Sequence, residues 1–222
     1  NFIMNLSEST VEVLKNFSTI NPSLVFKQGN KLRTVSPQKN ILASSIVAES
    51  FPSDFAIYEL NQFLGLNSLF DNGSIAFGEK SLEISQGSTK CSYTYTDPSM
   101  VTAPPEKDLS LPSTDVSFDM SADTLRSVVN AANQLGLPEI AVRGDGSTVS
   151  LVATDSKNPS SNEFSVAVGD TEATFKFIFK TENFKFIPDN YKVEVSAKGI
   201  SHFAGDRVEY WVATEAGSSY GE

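Results

Sequence analysis

"LSESTVEVLKNF", residues Leu6 to Phe17, opens the pattern on which the fold turns. Ser7 or Ser9 can cap a helix here, and Ser9 and Glu12 stand at capping-box spacing. Leu6, Thr10, Val13, Leu14 and Phe17 fall on one face, which predicts an amphipathic helix over roughly 7–18. The same order returns 114 residues later in "MSADTLRSVV", where Met120, Ser121, Thr124 and Leu125 stand for Leu6, Ser7, Thr10 and Val11.

Outward from these two helix starts the parallel continues. "NPSLVFKQGNKLRTVS" and "LPEIAVRGDGSTVSLVA" each read as a proline, a short strand, a glycine-containing hairpin turn and a second strand. "SDFAIYELNQFLGLNSLF" faces "ATFKFIFKTENFKFIPDN": each is a period-two strand that becomes a short helix, at Glu59 and at Thr181. "SIAFGEKSLEIS" and "YKVEVSAKGISHF" read as hairpins, "CSYTYT" and "VEYWVATE" as closing strands. Six matched elements in one order indicate a duplication, an α+β chain of two similar domains, each with two helix-plus-sheet units and so four helices in all. The proline-rich stretch 96–114 reads as an extended connector. The expected division is an N-terminal domain at 1–103, a connector at 104–114 and a C-terminal domain at 115–222.

Composition removes several functions. No apolar run approaches the roughly 18 residues that cross a bilayer, and no basic stretch followed by an apolar one opens the chain as a secretory signal would. The net charge of −10, from 27 carboxylates and 17 Lys and Arg, argues against a surface that coats nucleic acid, so a polyanion must meet a local patch. Cys91 is alone, which excludes an intramolecular disulfide, and it is expected to be buried and inert. His202 is the sole histidine, so a histidine metal cluster is excluded. No phosphate loop, dinucleotide fingerprint or nucleophile elbow occurs; "GDGS" at 144–147 and "DNGS" at 71–74 read as hairpin turns. Glu8, Glu12, Asp123 and Glu182 are expected on solvated helix faces. No catalytic residue, metal or cofactor is therefore expected.

"LSESTVEVLKNFSTIN" after Met4, "DFAIYELNQFLGLNSL", "DPSMVTAP" and "NYKVEVSAKG" resemble the sliding clamps of T-even-type bacteriophages, over Met4 to about Glu215. The resemblance implies a DNA-clamp fold: a homotrimeric ring of two-domain subunits, helices lining a hole and sheets outside. It implies a processivity factor that encircles duplex DNA without reading sequence and tethers the replicative DNA polymerase through that enzyme's C-terminal peptide. It further implies loading by an ATP-driven clamp loader, contact with late-transcription factors, and work in the cytoplasm of the infected bacterial host, away from membranes.

Stepping by 100° along the first helix sets Lys15 and Asn16, with Glu8 and Glu12, opposite Val13, Leu14 and Phe17. On the third, Arg126, Asn130, Asn133 and Gln134 face away from Leu125, Val128, Ala132 and Leu135. The second packs Leu60, Phe63, Leu64 and Phe70 while exposing Asn61, Gln62 and Ser68. In "FKFIFKTENFKF", 175–186, Phe175, Phe177 and Phe179 are expected in the core and Lys176, Ile178 and Lys180 on the other face, with Lys185 on the fourth helix. The expected DNA-facing set is Lys15, Asn16, Arg126, Asn130, Asn133, Lys180 and Lys185. Glu8, Glu12 and Asp123 depart from the richly basic hole of the family, which leaves open that these cations only solvate a face. The peptide pocket implied beside the connector maps to Val101, Pro104, Leu109, Leu111, Trp211, Val212 and Ala213, although alternation in "EYWVAT" could equally bury Trp211. The reading from another class is a duplicated β-rich structural or virion module with no DNA-binding role.

Overall fold

The computed structural model describes residues 3–221. They divide between Lys107 and Asp108 into two units. In the first unit the order is β1 (Ile3–Met4), α1 (Glu8–Ile20), β2 (Leu24–Phe26), β3 (Gly29–Val35), β4 (Ile41–Phe51), β5 (Phe55–Ile57), α2 (Leu60–Asn67), β6 (Ser74–Phe77), β7 (Ser81–Gln86) and β8 (Thr89–Thr94). Ser7, not Ser9, caps α1: its side chain accepts the Thr10 N–H, a contact worth about 1 kcal/mol. Thr10, Val13, Leu14, Phe17 and Ile20 are buried, and α1 packs on α2, β3 and β4. The order β1-β6-β7-β8 forms an antiparallel sheet. Beneath it Phe26 stacks on Phe55 at 4.5 Å and meets Phe51 edge-on at 5.1 Å.

Two turn assignments change here. β2 and β3 are not a hairpin: β2 pairs with β5 and β3 with β4. The reversal is instead at Ser36–Ile41, where the Ser36 N–H donates to the Ile41 carbonyl at 2.9 Å and Lys39 takes φ 60°. Gly29, at φ 109°, opens β3 beside a register shift. "DNGS" joins α2 to β6 rather than two strands, with Asn72 at φ 57°. Cys91, on β8, is half-buried rather than buried, because β8 is a sheet edge.

The second unit runs β9 (Val116–Met120), α3 (Ala122–Leu135), β10 (Glu139–Asp145), β11 (Thr148–Thr154), β12 (Phe164–Asp170), β13 (Thr174–Lys180), β14 (Tyr191–Ser196), β15 (Ile200–Ala204), β16 (Val208–Ala213) and β17 (Ser219–Tyr220). Ser121 caps α3 through the Thr124 N–H, repeating Ser7 and Thr10. The topology repeats too: β9 pairs with β14, the first strand of the β14-β15-β16 meander, as β1 pairs with β6. "GDGS" does close a hairpin, β10 to β11, with Gly146 at φ 89°.

Two expectations about helices fail. Leu135 is 43% exposed, because Gly136 at φ 64° ends α3 and turns Leu137, 8% exposed, into the core. The fourth helix is only a 3-10 turn, Thr181–Asn183. Ile187 precedes Pro188, which disfavours helical backbone. Burial of Phe184, Phe186 and Ile187 then decides an extended course. Phe186 lies 4.6 Å from Phe203 and 4.7 Å from Tyr210, ring to ring. Ile178 is also buried, at 3%, since the Glu215 N–H bonds its carbonyl and the chain near Gly217 lies over its side chain.

Candidate nucleic-acid interface

α1 presents Lys15, exposed, and Asn16, half-buried, away from its apolar stripe. Lys15 lines a concavity of about 620 Å³ together with Glu8, Glu12, Asn67, Ser68 and Asp71. Three carboxylates surround one ammonium there, so this face is polar rather than basic. The stripe is set by the helix period, and the groove exists because α2 ends at Asn67 beside α1.

In the second unit Asn133, Lys180 and Lys185 come together along a concavity of about 840 Å³ between α3, the 3-10 turn and the loop after β11. Lys157, from that loop, joins them and was not foreseen; a lysine in a turn-rich loop, "DSKNPSSN", carries no periodic signal. Glu139, Asp155, Glu182 and Glu215 line the same space, and Lys180 pairs with Glu215 at 3.7 Å. Arg126 and Asn130 line an adjoining cleft over Phe184 and Phe186. Arg126 is paired with Asp123, one turn away. Exposed pairs of this kind contribute little to stability, but each carboxylate offsets the positive charge of its partner. Seventeen carboxylates against nine cations follow Lys107, and ten against eight precede the boundary. The surface beside α3 therefore mixes both charges with amides instead of being richly basic.

Of the connector residues, Val101 is buried, Pro104 and Leu111 are half-buried and Leu109 is 38% exposed. Asn21 Nδ2 donates to the carbonyls of Val35 and Thr102, at 3.0 and 3.1 Å, and Arg33 Nη1 donates to that of Pro105 at 2.7 Å. The stretch before Lys107 is thus tied to the first unit. Beyond it, Asp115 accepts from Ser113 Oγ and the Ala197 N–H, which hold its carboxyl below the usual range. On β16, Val208, Tyr210 and Val212 are core while Glu209, Trp211 and Ala213 share the other face. Trp211 is half-buried and stacks on His202, ring centroids 4.7 Å apart at 15°. The His202 imidazole lies 3.9 Å from Glu194 and 3.3 Å from Glu209. Val212, placed with the peptide pocket from the sequence, is therefore a core residue, and only Trp211 and Ala213 lie on the opposite face of that strand.

Residues 7–102 match the family described as DNA polymerase processivity factor, and residues 117–216 match gp45 sliding clamp, C terminal. A sliding clamp of Vibrio phage KVP40 is 38% identical over 221 residues, covering 96% of this chain and all of that protein. The chain belongs to the phage sliding-clamp family. The clamp of Enterobacteria phage T4 is 30% identical over 98% of this chain and 99% of its own length. Among solved structures, the proliferating cellular nuclear antigen of Entamoeba histolytica superposes with a TM-score of 0.72 at 14% identity, over 96% and 98% of the two chains. A. fulgidus PCNA, solved with the C-terminal region of FEN-1, gives 0.68 at 16% identity over 96% and 97%. The duplicated α+β units are the clamp fold. The clamp is thus a DNA polymerase processivity factor, from a family that is not a catalytic class. Among its described residues no group of three or more His, Cys, Asp or Glu is placed to hold a metal, and no helix is long and apolar enough to cross a membrane.

Proposed function

We propose that three copies of this chain close into a ring around duplex DNA, with α1, α2, α3 and the Thr181–Asn183 turn toward the DNA. The full-length identity of 38% to a phage sliding clamp carries this reading. The cap and topology shared by the two units support it, since a duplicated unit is what a pseudo-symmetric ring needs. Edge strands β8 and β12 are the proposed joints between copies. Each ends its sheet, neither contains proline, and six and seven residues of unpaired backbone are a template for pairing.

A ring held by topology needs no tight phosphate grip, and counterion release at many fixed lysines would make it slide poorly. Lys15, Arg126, Lys157, Lys180 and Lys185 among amides and carboxylates supply the weak, sequence-blind attraction that suits sliding. We assign the DNA-facing role to these cations with Asn16, Asn130 and Asn133. Polymerase docking falls to the connector residues Val101, Pro104, Leu109 and Leu111 with Trp211 and Ala213; a clamp of the same fold solved with a partner's C-terminal region supports the mode. Loading by an ATP-driven loader, contact with viral late-transcription proteins and action in the infected host's cytoplasm belong to the same proposal.

Lys15→Glu combined with Lys185→Glu should shorten retention on circular DNA and lower processivity while leaving thermal stability unchanged. Unchanged retention at both low and moderate salt rejects the assignment. In solution the assembly should have a mass near 72 kDa, three chains of 24.0 kDa. A strict monomer across micromolar concentrations counts against the ring.

A further inference from the structure

The outer edge of β13 is covered only by the short β17 and the segment leading to it. Tyr220 pairs with Phe175 and Ser219 with Lys176. The Gly221 N–H donates to the Thr174 carbonyl and the Glu215 N–H to the Ile178 carbonyl, both at 2.8 Å, and the Ile178 N–H donates to Ser218 Oγ at 2.9 Å. What lies beneath is apolar: Phe175, Phe177 and Ile178 are buried, and the Tyr220 ring stacks on both phenylalanines at 5.8 and 6.1 Å. The cover itself is thin. Ala216, Gly217, Ser219, Tyr220 and Gly221 are exposed, and Tyr220 is the one large apolar side chain among them. The first unit shows what the repeated fold requires of this edge. There the Thr96 N–H donates to the Ala56 carbonyl at 2.9 Å, two residues past the end of β8, as the Glu215 N–H does to Ile178 two residues past the end of β16. Among the described residues nothing in the first unit follows that single bridge as β17 follows Glu215. The β13–β17 pairing is thus an addition to the duplicated unit.

We propose that the outer edge of β13 is a docking groove for an extended, aromatic-bearing segment of a partner protein, and that residues 215–221 occupy it until such a segment displaces them. The segment now seated there shows the chemistry of the occupant. An edge strand offers its backbone to any extended chain, and side-chain sites along it supply the choice. Here those sites are the Phe175 and Phe177 rings, which take an aromatic side chain, and Lys180, which lies 3.7 Å from the Glu215 carboxylate five places before Tyr220. Two residue pairs hold β17, against seven between β10 and β13, so β17 opens long before that ladder does. A Cβ at Gly217 would stand 3.6 Å from Ile178 Cδ1. A partner with an aliphatic side chain there covers Ile178 better than glycine does and wins the exchange. The groove lies wholly within the second unit. It shares only Lys180 with the DNA-facing set and no residue with the connector pocket, and the inference does not rest on the ring.

Fluorescence anisotropy tests this on the full chain with a labelled peptide of the sequence Glu215–Gly221, and with the same peptide carrying serine for its tyrosine. In the wild type the covalently attached segment competes at high effective concentration. Tyr220→Ser weakens that competitor and should bind the tyrosine peptide at least about tenfold more tightly than the wild type does, a gain that misfolding does not produce. The serine peptide should bind Tyr220→Ser at least about tenfold more weakly than the tyrosine peptide. The mass of the assembly should not change. Amide hydrogen exchange on the wild type gives a reading free of any substitution: the Ile178 and Gly221 N–H groups should exchange at least about tenfold faster than those of Phe177 and Phe179, which pair with β10. Equal affinity of wild type and variant for the tyrosine peptide, equal affinity of the variant for the two peptides, or exchange at Ile178 as slow as at Phe177 would each overturn the proposal. So would a fall in assembly mass with Tyr220→Ser, which would make a second copy the occupant.

Discussion

Replacing Glu49 by alanine should loosen the start of α1 and measure how firmly the first unit holds that helix. Glu49 is 9% exposed. Its Oε2 accepts the Ser7 N–H at 2.7 Å and its Oε1 the Thr10 hydroxyl at 2.5 Å, while Thr10 is 1% exposed. Bonds to a charged acceptor contribute about 1.5–3 kcal/mol each, and an orphaned buried donor adds its own desolvation cost. The two bonds are not independent, because Ser7 Oγ also touches Thr10 Oγ1 at 3.0 Å and both shift together. A net loss of about 3 kcal/mol follows for Glu49→Ala, and roughly half that for Glu49→Gln, which keeps one acceptor but loses the charge. For a chain of this size about 3 kcal/mol corresponds to a drop of roughly 6–12 °C in melting temperature. Thermal and urea unfolding should be measured for Glu49→Ala, Thr10→Val and the double variant. A coupling of about 1 kcal/mol or more is expected between the two sites. A loss below about 1 kcal/mol for Glu49→Ala, or strict additivity with Thr10→Val, refutes the reasoning.

Three further outcomes are expected. Glu163 accepts two bonds from Arg143, at 3.0 and 2.7 Å, and one from Thr154 at 2.7 Å, which lower its carboxyl from 4.5 to about 2. A depressed folded value means that its stabilisation is fully present above pH 4.5 and is lost as pH falls toward about 2. The stability difference between wild type and Glu163→Gln, followed by urea titration at each pH, should therefore shrink across that window; a difference flat in pH contradicts the pairing. Gly144→Ala would place a methyl group 2.2 Å from Phe175, its cross-strand partner, and should destabilise by about 1–3 kcal/mol. Adding Phe175→Leu should recover part of that loss in the same melting assay, and an unchanged melt of the single variant counts against the close contact. Trp211 and His202 are the sole tryptophan and histidine and they stack. Removing the ring in His202→Ala should expose the Trp211 indole and change its emission intensity and maximum; an unchanged emission spectrum refutes the stack.

Much of the fold was legible because its signals are local and doubled. The Ser7–Thr10 and Ser121–Thr124 caps, the 3.6-residue stripes of α1 and α3 and the alternation of Phe175, Phe177 and Phe179 each depend on a few neighbouring residues. Comparing the copies misleads here: the β10–β11 hairpin suggests one between β2 and β3, but β2 pairs with β5, some thirty residues onward, and β3 turns instead into β4, the strand that follows it. Strand pairing is a long-range choice, settled by which apolar faces meet. Leu135 and the missing fourth helix fail for the same reason. A left-handed glycine redirects one chain end into the core, and an aromatic cluster around Phe203 outweighs weak helical propensity in the other.

The candidate interface divides likewise. That Lys15, Asn16, Asn130 and Asn133 lie off the apolar stripes follows from helix periodicity alone. The Arg126–Asp123 pair is also local, one turn of α3, whereas tertiary packing alone shows that Lys180 is met by Glu215 and that Lys157 joins Lys180 and Lys185. By itself the sequence determined a duplicated α+β chain with two capped amphipathic helices, because capping, period and alternation act within a few residues. Only the tertiary structure decided which strands pair, where Trp211 rests and how Lys180 is balanced, because those depend on groups far apart in the chain brought within a few ångströms.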